Sequence, residues 1–489
     1  MSRHSERNNL GKTGFFKQFT QFWGAFFTLV SVAFVAILVY LDVLPLKLMI
    51  GVFAIVAVLW ILMFPALYLM KIRKSRKIIA FFFSTFMIFI YATGIYYLTG
   101  TISFLGGVTA GEYTEKTFEV LARTDDVRYN KLKDIADSTV YTLDGDFPGK
   151  KDVEEKLRKE YLARVDYYNN LPDLGTDLLN RNCDLIMLSD RGKSEMLDIS
   201  PNFSNETKIV GEIKVRIHPR DIAKRKDVTK ESYNILISGI DNDKKINENG
   251  RSDVNMIVTV NPVKKKVLLT SIPRDYRIYM KKFSGASDKL THTGIYGIDT
   301  TVEAVEDLLN VDINYYVKVN YATVRQVVDA IGGVEVYSDR HLLLDDESGD
   351  TYEYRKGNNL LGGNQALRFA RERESYEEGD IHRNENQQAV MKAIIEKATS
   401  SKTILMNYGS ILRGLKGYMN TNIREDEIRK IIKNELTHIG GWDIETQNLT
   451  GEGNSDVLYS TPGDYAYVME QDEKVIDKAH SQIMKMIRN

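Results

Sequence analysis

Charged residues stand at the ends of three consecutive apolar segments in the centre of the chain. In chain order they are Asp241, Arg251, Asp253, Arg274 and Asp275. Arginine forks bind phosphate oxygens bidentately, and carboxylates hold divalent cations. Acids and arginines at neighbouring strand ends therefore suit a site for a phosphorylated ligand and a metal ion. Ordinary solvated loop polarity is the alternative, since single charges at strand ends need no function.

A second charged cluster occupies residues 366–388, ALRFARERESYEEGDIHRNENQQ. It contains, in order, Arg368, Arg371, Arg373, Asp380, Arg383 and Gln387. A continuous helix would place Arg368 and Arg371 on one face, whereas an extended exit from the helix would align Arg371 with Arg373. Like charges this close repel each other unless an anion or neighbouring acids offset them.

Two interpretations of this cluster stay open from the residues alone. In one, the arginines form a solvated surface network with the glutamates of the same segment, Glu372, Glu374, Glu377 and Glu378. In the other, they bind phosphate.

Another candidate cation, Lys289, lies in the segment DKLTHTGIYG together with His292. His292 has no second His or Cys at zinc-ligand spacing. The spacing therefore excludes a zinc site there.

The elements around these residues predict a sheet with helices. The apolar segments Asn234–Ile240, Asn255–Val260 and Lys266–Ile272 are rich in β-branched residues and are predicted strands. YYVKVNY and VEVYS are further strands, and the predicted helices are Ile298–Leu309, Ala322–Ile331, Gln388–Ala398 and Ile423–Leu436. Strands that alternate with helices predict an α/β domain, with a central sheet covered by helices on both faces.

Three apolar segments near the start of the chain are long enough to cross a bilayer: Phe22–Leu41, Leu48–Met70 and Ile78–Leu98. Basic residues precede the first segment and fill the connection between the second and third, whereas the other connections carry little charge. The positive-inside rule then places residues 1–21 in the cytoplasm and everything after about residue 100 outside the cell membrane. A buried hairpin in a soluble protein is the less favoured alternative.

Composition limits the classes of function. Residues 1–100 hold 10 Lys+Arg and 2 Asp+Glu, whereas the rest of the 489 residues hold 55 and 64. The basic excess lies beside the apolar segments and the remainder is mildly acidic, which argues against nucleic acid as a partner. The single cysteine, Cys183, cannot form an internal disulfide and does not decide the compartment.

A further domain is predicted between the membrane segments and the charged clusters, at residues 112–228. FEVLAR, TVYTL, CDLIMLS and KIVGEIKVRI are candidate strands, and Asp152–Asn169 is predicted to be one amphipathic helix. This indicates a compact α/β accessory module without a catalytic constellation. The polar, charge-dense residues 218–232 are predicted to be the linker to the last domain, residues 229–489.

Several of these segments together resemble the LytR-CpsA-Psr family, whose members attach glycopolymers to the cell wall of Gram-positive bacteria. The matching motifs are SGID, GRSDVNMIV, SIPRD, FARERE and GDIHRNENQQ. The similarity extends over roughly residues 233–400, and the order of segments before it resembles the capsule-locus branch. The resemblance implies both a set of site residues and an activity.

The resemblance assigns roles to the charged residues. The phosphate-contacting positions are Arg251, Arg274, Arg371, Arg373 and Gln387. Asp241 and Asp253 match carboxylates that bind Mg2+, for which Mn2+ would substitute, and Asp380 and Arg383 match a supporting pair. Lys289 matches less closely, and Asp253 or Asp275 would serve as the base for the incoming hydroxyl. A polyprenyl tail would lie between sheet and helices, beside apolar residues such as Ile257, Val258, Leu268 and Leu269.

The function implied by the resemblance is that of a membrane-anchored phosphotransferase. It would move capsular polysaccharide, as glycan-1-phosphate, from a polyprenyl pyrophosphate carrier to peptidoglycan, and other capsule-assembly membrane proteins would be further partners. A polyprenyl pyrophosphate phosphatase that uses water as acceptor is one alternative. A non-catalytic regulator that binds the lipid-linked precursor is another, although the predicted cytoplasmic segments are too short for a folded DNA-binding domain.

Overall fold

Three long helices, α1 (Ser2–Leu41), α2 (Leu46–Tyr68) and α3 (Lys74–Val108), form the N-terminal part of the computed structural model. The structure describes residues 2–42, 44–68, 73–108, 114–144, 149–217, 221–240, 250–283, 285–346, 349–377, 379–399, 419–438 and 440–488. The segments long and apolar enough to span a membrane are Gln18–Leu41, Leu46–Tyr68 and Ser75–Tyr96. The three predicted apolar helices are therefore confirmed, with ends displaced by a few residues.

The next part of the chain is a five-stranded sheet with helices on both faces. Its strand order is β3-β2-β4-β1-β5. The elements are β1 (Thr114–Arg123), β2 (Thr139–Leu143), α4 (Lys150–Glu160), β3 (Arg164–Tyr168), α5 (Leu171–Leu179), β4 (Leu185–Ser189), α6 (Asp190–Ile199), α7 (Phe203–Glu206) and β5 (Thr207–Ile217). One face packs against α4 and the other against α5 and α6. The α/β character of the accessory module is thus confirmed.

The single helix predicted over Asp152–Asn169 is wrong in its second half. α4 ends at Glu160, and Arg164–Tyr168 forms a strand that pairs in parallel with β2. Leu162, between the two, has a φ of 54°, a left-handed conformation that ends a helix. The Arg-Val-Asp-Tyr-Tyr sequence of this strand is rich in β-branched and aromatic residues, and pairing with the sheet outweighs its helical charge spacing.

The described part of the predicted linker lies against the last domain. Residues 218–220 are outside the described residues, and residues 221–232 form neither helix nor strand. Val228 is buried in the apolar cluster of the following sheet. The Arg225 guanidinium lies 2.7 Å from a carboxylate oxygen of Glu427. These contacts fix the entry of the chain into the last domain.

The last domain is built on a six-stranded sheet with the order β16-β11-β6-β7-β8-β17. Its first half comprises β6 (Tyr233–Ile240), β7 (Ser252–Asn261), β8 (Lys266–Ile272), β9 (Arg277–Met280), β10 (Ala286–Lys289), α8 (Leu290–Tyr296), α9 (Ile298–Leu309), β11 (Tyr315–Asn320) and α10 (Tyr321–Ala330). The second half comprises β12 (Val334–Ser338), β13 (Leu342–Asp345), β14 (Thr351–Tyr354), β15 (Gly357–Leu361), α11 (Gly363–Arg371), α12 (Gly379–Ala398), β16 (Met419–Thr421), α13 (Glu425–Thr437), β17 (Asp443–Asn448), β18 (Gly451–Leu458), β19 (Thr461–Gln471) and α14 (Glu473–Arg488).

Both faces of this sheet are buried, which explains why its central strands are nearly continuous apolar segments. Leu236, Ile257 and Leu268 face a core that α9 and α14 cover. Residues of α12 and α13 pack over the opposite face, in a cluster that includes Ile237 and Met256. The predicted central sheet with helices on both faces is therefore confirmed.

Strand direction determines where the charged residues meet. β6 pairs in parallel with β11, and β17 pairs in parallel with β8. β7 runs antiparallel between β6 and β8. The carboxyl ends of β6, β8 and β11 and the beginning of β7 consequently lie at one edge of the sheet. Ligands of open α/β sheets bind outside the carboxyl ends of the strands.

Gly294 in α8 allows this helix to approach the segment before β7 that leads to Asp253. A Cβ atom at this glycine would collide with the carbonyl oxygen of Gly250 and would lie 2.8 Å from the amide nitrogen of Ser252. Both obstacles are backbone atoms, so Gly294→Ala should lower the free energy of unfolding by about 1 to 3 kcal/mol. Thermal unfolding would measure the loss. Gly440→Ala is the control because a Cβ there has nothing within 4 Å, and equal melting of the two variants would contradict the packing argument.

Candidate active site

A cavity of about 820 Å3 lies where the carboxyl ends of β6 and β11 meet α10, α11 and α12. Its polar end brings together six of the eleven residues predicted from the sequence. They are Asp253, Arg274, Arg371, Arg373, Arg383 and Gln387. Four of the six are arginines, so this end of the cavity is suited to an anionic group.

The other end of the same cavity is apolar. Its lining includes residues from β6, β7, β11 and the helices, namely Ile237, Met256, Val319, Val324, Leu367, Val390, Met391 and Ile394. The cavity is therefore amphipathic, and its volume falls in the range of ligand-binding pockets.

The helix α12 lines both the charged end and the apolar end of the cavity. Arg383, Gln387, Met391 and Ile394 are spaced by four, four and three residues, so they lie on one face of the helix. The first two line the charged end of the cavity and the last two line the apolar end. One helix face thus fixes the distance between an anionic and an apolar part of a ligand.

The end of α11 determines which arginines of the cluster are aligned with each other. Its last residue is Arg371, and Glu372 has the extended angles φ −67° and ψ 128°. The structure thus corresponds to the extended exit, which aligns Arg371 with Arg373. The Arg371 guanidinium lies 4.4 Å from the ring centre of Tyr321, the first residue of α10. This contact holds one arginine in place at the cavity wall.

The described glutamates of the segment, Glu372, Glu374 and Glu377, form no ion pair with Arg371 or Arg373. Glu372 is buried and pairs with Arg368 at 2.7 Å. Burial disfavours its ionised form, but hydrogen bonds from Ser375 and the pair with Arg368 outweigh burial and hold its pKa below the usual value. The side chain of Arg373 is exposed and has neither a hydrogen bond nor an ion pair with the described residues. Glu378 is outside the described residues.

A chain of ion pairs runs from the cavity into the domain. Arg274 Nη1 lies 3.3 Å from Asp253 Oδ1, and Arg274 Nε lies 3.5 Å from Asp275 Oδ2. Lys289 Nζ donates to Asp275 Oδ1 at 3.0 Å. Asp253 and Arg274 line the cavity, whereas Asp275 and Lys289 are absent from its lining. Lys289 and Asp275 therefore contact the site through Arg274.

Asp253 is the predicted metal-ligating carboxylate that lines the cavity. Its Oδ1 accepts a hydrogen bond of 3.0 Å from Thr291 and faces Arg274, which fixes the carboxylate. Its Oδ2 accepts no hydrogen bond from a described residue. Among the described residues no three His, Cys, Asp or Glu side chains are placed so that they could hold a metal ion together. Mg2+ is commonly held by one or two carboxylates with water and phosphate oxygens, and Asp253 fits such a set.

Besides Asp275 and Lys289, three more of the predicted residues are not placed at the cavity. Asp241 lies outside the described residues, and so does the side chain of Asp380. Arg251 is exposed, precedes β7 and is absent from the cavity lining. Their roles stay predictions.

Some cavity residues were not predicted from the sequence. Asn320 caps α10 through its side chain, and Tyr321 and Arg325 from the first turns of this helix line the cavity. The only sequence signal is the spacing of four residues from Tyr321 to Arg325 after a capping asparagine.

Four apolar residues suggested for a lipid tail are core residues and do not line the cavity. They are Ile257, Val258, Leu268 and Leu269. Their buried strand positions face the packed parts of the sheet instead.

Fold and site define an α/β domain with an amphipathic, arginine-lined cavity, in a chain that begins with three helices able to cross a membrane. The chain belongs to the LytR_cpsA_psr family, whose family model matches residues 201–482.

Curated relatives agree with this membership. The chain is 38% identical over 206 residues to the polyisoprenyl-teichoic acid–peptidoglycan teichoic acid transferase TagU of Bacillus cereus, a match to 42% of this chain and 64% of that protein. The TagU of Enterococcus faecalis is 34% identical over 227 residues, which cover 46% and 72% of the two chains. Among solved structures, the crystal structure of B. subtilis TagV matches 53% of this chain and 98% of its own at 26% identity, with a TM-score of 0.45.

Proposed function

We propose that this protein transfers a glycan-1-phosphate unit from a polyprenyl pyrophosphate carrier to a hydroxyl of peptidoglycan. The observation that supports it best is the cavity, because its arginine-lined end suits a diphosphate and its apolar end suits a lipid tail. The curated relatives bear the name of teichoic acid transferases, which supports the same class of reaction.

The transfer reaction mainly requires that negative charge on the phosphate oxygens be stabilised. The acceptor oxygen forms a bond to the phosphorus of the glycan phosphate, the bond from this phosphorus to the bridging oxygen breaks, and polyprenyl phosphate leaves with the electron pair. Arg274, Arg371 and Arg373 would hold the phosphate oxygens as charge builds on them. The hydroxyl proton passes to a carboxylate. Asp253 is the better candidate for this base than Asp275, because only Asp253 lines the cavity.

Mg2+ is the proposed cofactor, with Mn2+ as a substitute. Asp253 would hold it, together with Asp241 if the family resemblance extends to that residue. A bound divalent cation would neutralise part of the pyrophosphate charge. The Oδ2 atom of Asp253, which accepts no hydrogen bond from a described residue, supports this proposal.

Capsular polysaccharide is the proposed glycan. Support comes from the order of segments, with three apolar helices and an α/β accessory domain before the family domain, as in the capsule-locus branch. Other capsule-assembly membrane proteins are the proposed partners in the bilayer.

The product of the reaction tests this function. The full chain in proteoliposomes would be incubated with Mg2+, cell-wall fragments and a polyprenyl pyrophosphate oligosaccharide. A phosphodiester between glycan and wall is the expected product. Release of free glycan phosphate would instead indicate a phosphatase, and an unchanged carrier would indicate a binding protein or regulator.

The proposed topology puts the N-terminal tail in the cytoplasm and both α/β domains outside. Protease added to intact, wall-stripped cells should therefore digest the chain after about residue 100 and spare the tail. Fragments would be identified with antibodies to the tail and to the last domain. Permeabilised cells are the control, in which both parts should be digested. Protection of the last domain in intact cells would overturn the topology and the wall-directed function.

A further inference from the structure

The last domain contacts the end of the first membrane helix through α13. Arg429 Nη1 lies 3.3 Å from the carbonyl oxygens of Tyr40 and Leu41, the last two residues of α1. Lys433 Nζ lies 2.7 Å from Asp42 Oδ1, one residue further on. Arg429 and Lys433 are four residues apart and thus share one face of α13.

Charge complementarity explains this contact. The last four carbonyl groups of a helix have no partner within it and carry partial negative charge. α1 has no basic residue in its last turn, so Arg429 and Lys433 supply the positive charge from another domain. Leu41 is fully buried although it ends the helix, which agrees with coverage of this end by the domain. Glu425, at 3.3 Å from Arg429, orients the guanidinium from the same face of α13.

A second contact joins the domain to the membrane helices. The third helix, α3, touches β16, the edge strand next to β11. The domain therefore rests on two of the three helices. A domain held at two points on the helices has a defined orientation relative to the membrane.

The opposite face of α13 belongs to the apolar interior. Ile428 and Ile431 pack in the cluster that contains Ile237, Val319 and Met391. Ile237, Val319 and Met391 also line the apolar end of the cavity. One helix therefore separates the end of α1 from the part of the domain where a lipid tail would bind.

We propose that Arg429 and Lys433 dock the last domain on the outer end of α1 and so turn the apolar end of the cavity toward the bilayer. The tail of a polyprenyl carrier then enters the cavity from the membrane without crossing water. This inference rests on the proposed function for its ligand, whereas the docking itself does not.

Cross-linking in membranes tests the docking. In the full chain with Cys183→Ser, Asp42→Cys and Lys433→Cys should be joined by a short bis-maleimide reagent. The matched control is Lys478→Cys with Asp42→Cys, because Lys478 is exposed on α14, which covers the opposite face of the sheet. Absence of a cross-link between positions 42 and 433, or equal cross-linking in the control, would overturn the docking.

Reversing the charge of Lys433 tests whether the docking turns the apolar end of the cavity toward the bilayer. Lys433→Asp should lower transfer from a long-chain carrier in proteoliposomes about tenfold, because two acids would face each other. Transfer from a water-soluble short-chain carrier should stay unchanged, and adding Asp42→Lys should restore the long-chain reaction. Lys430→Asp is the control on the same helix, since Lys430 is exposed and pairs with Asp426 of α13.

The outcomes separate this inference from the proposed function. Equal loss with both carriers, or no loss with either, would overturn the role in carrier entry. Cross-linking between positions 42 and 433 in the cysteine variant, together with no glycan transfer from either carrier by the unaltered chain, would support the docking and overturn the function.

Discussion

Replacing Arg371 and Arg373 together by alanine should lower glycan transfer about 10³-fold while the protein stays folded. Removal of a single preorganised group that stabilises charge in a transition state costs about 10² to 10³ in rate, and both arginines line the anionic end of the cavity. Stability should change little. Arg373 is exposed, and the contact of Arg371 with Tyr321 is worth about 0.5 to 1 kcal/mol. Transfer in proteoliposomes and thermal unfolding would measure the two effects.

Two further variants sharpen this test. Arg371→Lys keeps the charge but loses the two-pronged guanidinium, so it should restore little of the activity. Arg355→Ala is the control in the same domain, because its side chain is 79% exposed and pairs only with the surface residue Glu353 among the described residues. Normal transfer by the double variant at normal expression would return the cluster to the solvated-surface interpretation.

The sheet and most helices of the last domain could be predicted because their signals are local. β8 has the predicted bounds Lys266–Ile272, and α9 has the predicted bounds Ile298–Leu309. A strand buried on both faces is a short apolar segment of β-branched residues, and a capped helix shows its own periodicity. Neither signal depends on which elements become neighbours.

The accessory domain shows where local signals fail. The charge spacing of Asp152–Asn169 is compatible with a helix throughout, but Arg164–Tyr168 gains more from parallel pairing with β2. That pairing depends on a strand more than twenty residues earlier in the chain, which periodicity cannot reveal. The helices α5 and α6 were likewise not predicted.

The cavity was only half predictable. Its charged residues stand out as clusters in the sequence. They meet because Asp253 at the beginning of β7 and Arg274 after the end of β8 lie at the sheet edge beside α11, α12 and the connection between these helices, which carry the others. The apolar half has no such signal, because Ile237, Val319 and Met391 resemble core residues in sequence. Whether an apolar residue lines a cavity or fills a core depends on what packs opposite, and only the arrangement of α12 over the sheet decides this.

The docking contact of α13 was also invisible in the sequence. Arg429 and Lys433 lie in a helix with ordinary surface charges, and Lys430 on the same helix pairs locally with Asp426. Only the position of α1 beside this helix distinguishes the two kinds of lysine. The contact nevertheless agrees with the predicted topology, because it requires the end of α1 and the last domain to lie on the same side of the membrane.

Asp253→Asn should abolish most of the transfer activity and weaken the binding of divalent cations. Asparagine has nearly the same shape, and its oxygen can still accept the hydrogen bond from Thr291, so the fold should be retained. The substitution removes the negative charge that Mg2+ binding or a general base requires. We expect transfer to fall about 10² to 10³-fold. Binding of Mn2+, measured by electron paramagnetic resonance with the full chain in detergent, gives a readout that is independent of activity.

The manganese measurement separates the two roles that Asp253 could have. If Asp253 is a metal ligand, Asp253→Asn should weaken Mn2+ binding at least about tenfold, because even residues that only support a ligand have effects of about 10 to 100-fold. If Asp253 is only the base for the acceptor hydroxyl, transfer should fall while Mn2+ binds as tightly as before. Asp312→Asn is the control, since its side chain is 75% exposed and pairs with Lys224 away from the cavity. Unchanged metal binding by Asp253→Asn would therefore refute the metal-ligand role, and unchanged transfer would refute both.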